Sequence, residues 1–154
     1  MQPPSPEQAQ ESLREHVIAR AQRARQARAV SPDAAAVIAM LDERACVRYP
    51  VGVRFDAQPL RPGEFACLEA LGELPSDGYC LFIHPMFEPV DDLLPLLIAY
   101  YIPTVNYGEV ASHAEAELFG ATLTGLDLEE YYKILCSVAD SAAAAGGGPG
   151  PPIA

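Results

Sequence analysis

Two histidines and a group of carboxylates carry most of the reactive chemistry in this 154-residue chain. His84, Glu88, Asp91, Asp92, His113, Glu115 and Glu117 all fall between residues 84 and 117. Imidazole and carboxylate together suit a divalent metal, or a general base with an acid to orient it. His84 closes an apolar run where a strand end would present it, and His113 lies in the first turn of a helix start. Carried furthest, this pattern gives a small metal-binding protein or metal-dependent hydrolase, with His84, His113, Glu88, Asp91 and Glu117 as ligands. Each residue also has a simpler use. His84 precedes a proline and can satisfy loop backbone, the two aspartates are helix caps, and Glu115 closes a capping box with Ser112. The simpler uses take precedence, and the metal reading is the second choice.

No phosphate-binding glycine loop, G-x-S-x-G elbow, H-E-x-x-H pair or dinucleotide fingerprint occurs in the sequence. Arg20, Arg23, Arg25 and Arg28 crowd one N-terminal segment, and Tyr100, Tyr101 and Tyr107 cluster further on. Tyrosine offers an apolar ring with a polar tip and is favoured at interfaces. The arginines point around the helix without interleaved aromatics, beside a strongly negative body, which argues against nucleic acid and for an acidic protein surface.

Residues 97–104 (LIAYYIPT) and 113–120 (HAEAELFG) resemble the two core helices of gluzincin metallopeptidases. That family carries H-E-x-x-H on the first helix and an E-x-x-A-[DN]-x-x-A pattern on the second, with a strand before them. The resemblance puts Tyr100 and Thr104 at the two histidine positions, Tyr101 at the catalytic glutamate and His113 at the third ligand. Three ligands and a base are needed to activate water on zinc, so the resemblance implies a degenerate, non-catalytic scaffold.

The elements that must position these residues are legible in outline. Ser5-Pro6-Glu7 starts a helix to about Ala29, with a shallow stripe of Leu13, Val17, Ala21 and Ala24. Ser31-Pro32-Asp33 repeats the start signal for a shorter helix to Leu41. Residues 47–55 alternate in the manner of a strand, and Pro50 places it at or near a sheet edge. The spacing of Phe65, Leu68 and Leu71 predicts a short helix, and Tyr79–Ile83 a buried strand. Asp91 or Asp92 should cap an apolar central helix that Pro103 kinks or ends, with a turn over residues 106–108. A helix capped by Ser112 and closed by Gly125 follows, then one from Asp127 to about Ala139.

These expectations define an α+β fold: a sheet of two to four strands packed on a mainly helical C-terminal half, with a peripheral N-terminal helix. Its parts are a basic arm (residues 1–30), one globular domain (31–140) and a disordered Ala/Gly/Pro tail (141–154). Half the residues are apolar and a fifth charged, enough to build a core. Nine of the ten basic residues precede Pro62, whereas residues 62–154 hold fourteen acids and Lys133, within a net charge of −11. Such asymmetry suits docking on an acidic partner or on the protein's own body. The four cysteines form no C-x-x-C pair and read as reduced, buried thiols. The polar start and the lack of a spanning segment lead to a soluble, cytoplasmic protein without membrane contact. The favoured function is a non-catalytic accessory or assembly protein acting on a protein partner or as a homo-oligomer.

Overall fold

The sheet forms because three short segments each present alternate apolar residues to one face. The computed structural model describes residues 2–3, 5–27 and 33–147. Strands β1 (Val51–Phe55), β2 (Ala66–Ala70) and β3 (Tyr79–Ile83) lie in the order β1-β3-β2, with β1 parallel and β2 antiparallel to β3. The register aligns Val53, Leu81 and Leu68, and likewise Phe55, Ile83 and Ala66, so one face is apolar throughout. Side chains two apart share a face, and this face joins the core. The opposite face carries Gly52, Arg54, Cys67, Glu69, Cys80 and Phe82.

Helix α1 (Pro6–Gln26) starts at Ser5, whose hydroxyl accepts from the Gln8 amide while the Gln8 side chain returns a bond to the Ser5 amide. It packs along α4 through Val17, Ala21 and Ala24, all buried, and most of its other residues are exposed. The alanine stripe lets the two helices approach closely. Asp33 caps α2 (Ala34–Met40) by accepting from the Ala36 amide; Arg28, Ser31 and Pro32 lie outside the described residues. Helix α3 (Leu94–Tyr107) is central, flanked by α2, α4 (His113–Thr124), α5 (Leu128–Ala142) and β3. The Ser112–Glu115 capping box opens α4, and Gly125 closes it in the left-handed region at φ 77°. Helix α5 extends beyond Ala139 to Ala142, and a π-helical turn covers Ala143–Gly147. Among the described residues no helix is long and apolar enough to cross a membrane.

Several sequence expectations change. Residues 66–70 form β2 and not a helix: Ala66 and Leu68 meet the core at period two, Ala70 ends the same face exposed, and pairing with β3 overrides the three-residue spacing. The first strand is shorter than residues 47–55 because Asn106 takes the preceding backbone. Its Oδ1 accepts from the Arg48 amide at 2.8 Å and its Nδ2 donates to the Cys46 carbonyl at 2.9 Å. β1 does lie at a sheet edge, as Pro50 implied. Leu93, not an aspartate, occupies the N-cap of α3, so Asp91 and Asp92 sit in the exposed turn before it. Pro103 does not end α3. The helix continues to Tyr107, and only Gly108 stops it. A proline costs an interior helix about 3 kcal/mol, and burial of α3 among its neighbours offsets that loss. The cysteines are free, but Cys136 is exposed and Cys67 only partly buried.

Asn106 is 1% exposed and satisfies two main-chain groups outside its own helix. Asn106→Ala leaves both without partners and should lower stability by about 2 kcal/mol or more, read from the urea midpoint. An unchanged midpoint would mean that water replaces the amide at no cost.

Candidate functional site

A cavity of about 610 Å³ opens between the outer edge of β2 and the α3–α4 pair. Its size lies within the range of ligand sites. One wall is the chain from Gly63 to Leu68, and the other is Tyr100, Tyr101 and Thr104 of α3 with Ser112, His113 and Ala116. Phe65 meets the rings of Tyr100 and Tyr101 edge-on, each at 6.2 Å between centroids, and the tyrosines meet each other at 5.3 Å.

The hydrogen-bond phase of β2 gives this wall its character. His84 N–H donates to the Phe65 carbonyl and Leu71 N–H to the Gly78 carbonyl, which fixes Phe65, Cys67, Glu69 and Leu71 as the residues bonded to β3. In an antiparallel pair the intervening residues turn their peptide groups the other way. Ala66, Leu68 and Ala70 therefore face the free edge. Tyr101 Oη donates to the Ala66 carbonyl at 2.8 Å. Among the described residues no side chain reaches the main chain of Leu68 or Ala70.

The site is electronegative. Glu64 is its one carboxylate, and neither lysine nor arginine lines it. Burial, with Glu117 adding to it, pushes the Tyr100 hydroxyl up to about 12. Tyr101 is raised by burial and then by Tyr100, Glu64 and Cys67, and the Cys67 thiol by burial and then by Glu69 and Glu64. Both phenols are protonated at neutral pH and act as hydrogen-bonding groups.

The residues expected to gather around a metal separate into different places. His113 Nδ1 shares a 2.6 Å hydrogen bond with Tyr100 Oη at the cavity mouth. His84 Nδ1 instead accepts from the Met86 amide, beside a smaller cavity shared with Arg61 and Gly63. Glu88 is exposed at the end of the short turn Pro85–Phe87. Asp91 and Asp92 line a separate cavity with Asp33 and Thr124. Among the described residues no three of His, Cys, Asp and Glu come together to hold an ion. Tyr100, Thr104 and His113, the positions marked by the gluzincin resemblance, do line one cavity, where they offer a phenol, an alcohol and one imidazole.

Of the arginine segment, Arg20 and Arg25 lie on the protein itself and Arg23 is exposed, while Arg14 precedes the segment. Arg14 Nε pairs with Glu115 at 3.1 Å, Arg20 lies over the Tyr107 ring, and the Arg25 guanidinium packs on Gly125. Phe65, Leu68 and Glu64 were missed from sequence as site residues; the Arg61-Pro62-Gly63 turn followed by alternating residues was the available signal. The chain matches no protein-family model, no curated protein and no solved structure.

Glu115 is 1% exposed beneath the site, while its partner Arg14 is 45% exposed. Burial raises its carboxyl, but the Ser112 hydroxyl and amide, with Arg14, outweigh that and hold it below the ordinary value of 4.5. A depressed folded-state pKa contributes stability above the unfolded pKa and loses it as pH falls through the folded one. Glu115→Gln keeps the capping geometry and removes the charge. It should lower stability by about 1–2 kcal/mol at pH 7, with the gap to wild type closing below pH 4.5. Urea titrations across that interval check the sign, and a gap that widened in acid would contradict it.

Proposed function

We propose that the protein is a non-catalytic accessory protein whose β2–α3–α4 cavity receives an extended segment of a protein partner. The observation that carries this reading is the cavity wall: a sheet edge whose Leu68 peptide groups face outward opposite an aromatic wall, with Ala70 continuing the free edge beyond the cavity. An edge of this kind adds a peptide as a further strand, with main-chain bonds supplying affinity and side-chain pockets supplying choice. Glu64 in the lining, with Glu69 and Glu117 acting on its hydroxyls and thiol, favours a segment that alternates apolar residues with lysine or arginine. The aromatic rings suit both the apolar residues and the cations.

The chemistry of the lining supports binding over turnover. Tyr100 occupies the Nδ1 side of His113 with a hydroxyl held protonated. Ser112 donates its hydroxyl to Glu115 at 2.7 Å and is engaged in the helix cap. Cys67 has its thiol pushed up by burial and two glutamates, and among the described residues no base is hydrogen-bonded to the Thr104 hydroxyl.

The test is a screen of the full chain against a library of extended peptides, followed by NMR titration of those that bind. Bound peptides should be enriched in lysine or arginine and shift the amides of Leu68 and Ala70. Thr104 is exposed and lines the cavity, so Thr104→Arg fills it and adds a repelling charge without disturbing the core. That variant should weaken binding by about tenfold or more. Peptides that bind elsewhere on the surface, or bind Thr104→Arg equally well, would remove the reading.

A further inference from the structure

A second cavity, of about 330 Å³, lies at the C-terminal end of α3 and has the opposite electrical character. Its lining includes Arg48, Tyr49, Tyr79, Asn106, Tyr107 and Val110, and Arg48 is the one charged residue in it. Three tyrosines beside an arginine make a cavity with aromatic walls and a single cation. Its volume is near the lower limit for small-molecule sites and fits a single ring with its substituent.

The arginine is held in place but not neutralised. Its backbone amide donates to Asn106 Oδ1, and its Nη1 donates to the Asn106 carbonyl at 3.2 Å, while the guanidinium carbon stands 5.3 Å from the Tyr49 ring centroid. A guanidinium has five N–H donors in a fixed fork, so most of them stay available. Two further arginines strengthen the local potential. The Arg20 guanidinium carbon is 5.7 Å from the centroid of Tyr107, and its Nε and Nη1 are buried without hydrogen-bond partners. Arg23 lies one turn further along the same helix and acts on the Tyr107 hydroxyl, as do Arg20 and Arg48. His16 Nδ1 shares a 2.6 Å bond with that hydroxyl. Among the described residues no carboxylate pairs with Arg20, Arg23 or Arg48. In a chain of net charge −11, three arginines without acidic partners around one tyrosine form a local positive site.

We infer that this cavity binds a small aromatic oxyanion, a single planar ring bearing a carboxylate or phosphate, with the ring among Tyr49, Tyr79 and Tyr107 and the anion on Arg48. The fork of Arg48 matches the paired oxygens of such a group. Arg20 and Arg23 raise affinity through the field, without contact. This site is separate from the β2–α3–α4 groove, and neither depends on the other.

The probes are phenyl phosphate and benzoate, compared with phenol and inorganic phosphate, titrated into the full chain by NMR. The chain contains no tryptophan, so tyrosine fluorescence serves as a second readout. At least one of the two aromatic anions should bind saturably and more tightly than phenol or phosphate, shifting Arg48, Tyr107 and Val110. Arg48→Gln should weaken it about tenfold or more. Because Arg48 also bonds Asn106, Val110 supplies an independent variant: it is 69% exposed and lines the cavity. Val110→Glu should abolish binding and Val110→Lys preserve it, with both variants melting as wild type does. Binding no tighter than that of phenol or phosphate, or equal affinities in the Glu and Lys variants, would overturn the assignment.

Discussion

The packing of Tyr131 against Gly120 is the constraint on which the helical half depends. Tyr131 is fully buried, and its hydroxyl donates to the Leu96 carbonyl at 2.6 Å. A Cβ at position 120 would overlap the Tyr131 hydroxyl and ring carbons. One side chain from α5 therefore passes across the glycine of α4 to reach the first turns of α3. This contact sets the mutual placement of the three helices, and with it the distance between Tyr100 on α3 and His113 on α4. The cavity beside β2 exists because α3 is held far enough from the free sheet edge to leave space. Among the described residues, the ties across it are the hydrogen bond from Tyr101 to the Ala66 carbonyl and the edge-on contacts of Phe65 with Tyr100 and Tyr101.

Helix α3 is the shared support for both candidate sites. Its N-terminal half is buried on nearly every side, and its later turns present Tyr100, Tyr101 and Thr104 at one cavity and Asn106 and Tyr107 at another. The two sites differ in charge because of what stands opposite. Glu64 and Glu69 come from β2 and the turn before it, whereas Arg20 and Arg23 come from α1 and Arg48 from the segment pinned by Asn106. The lopsided charge of the sequence thus becomes two separate local fields. Much of the arginine charge of α1 is engaged within the molecule: Arg14 with a buried glutamate and Arg20 with an aromatic face. Exposed ion pairs contribute little, but Glu115 is buried and already engaged in a helix cap, so Arg14 adds to a site that is fixed in place.

Much of the fold was legible because local chemistry determined it. Ser5, Ser112 and Gly125 mark helix ends through bonds made within a few residues, and these ends occur where the residues imply. The apolar run of β3 and the all-round apolar surface of α3 likewise identify buried elements. The failures share a cause. Residues 66–70 carry an ambiguous spacing that only the partner strand resolves, and residues 47–48 read as strand although their amides donate to the Glu43 carbonyl and to Asn106. Pro103 should stop a helix on local grounds, yet tertiary burial holds the helix through it.

The sequence by itself determined the α+β class, the caps, the apolar faces and the uneven distribution of charge, since each is a property of neighbouring residues. It also named Tyr100, Tyr101, Tyr107 and His113 as residues of interest. Only the tertiary structure decided which of them meet. His84 and Asp91 belong to separate cavities, Tyr100 bonds His113, and Glu64 and Phe65 join them from the segment leading into β2, a strand that periodicity reads as helix. The physical reason is distance along the chain. A binding wall is made by residues from elements far apart in sequence, and their meeting follows from how Tyr131, Gly120 and Asn106 fasten those elements together.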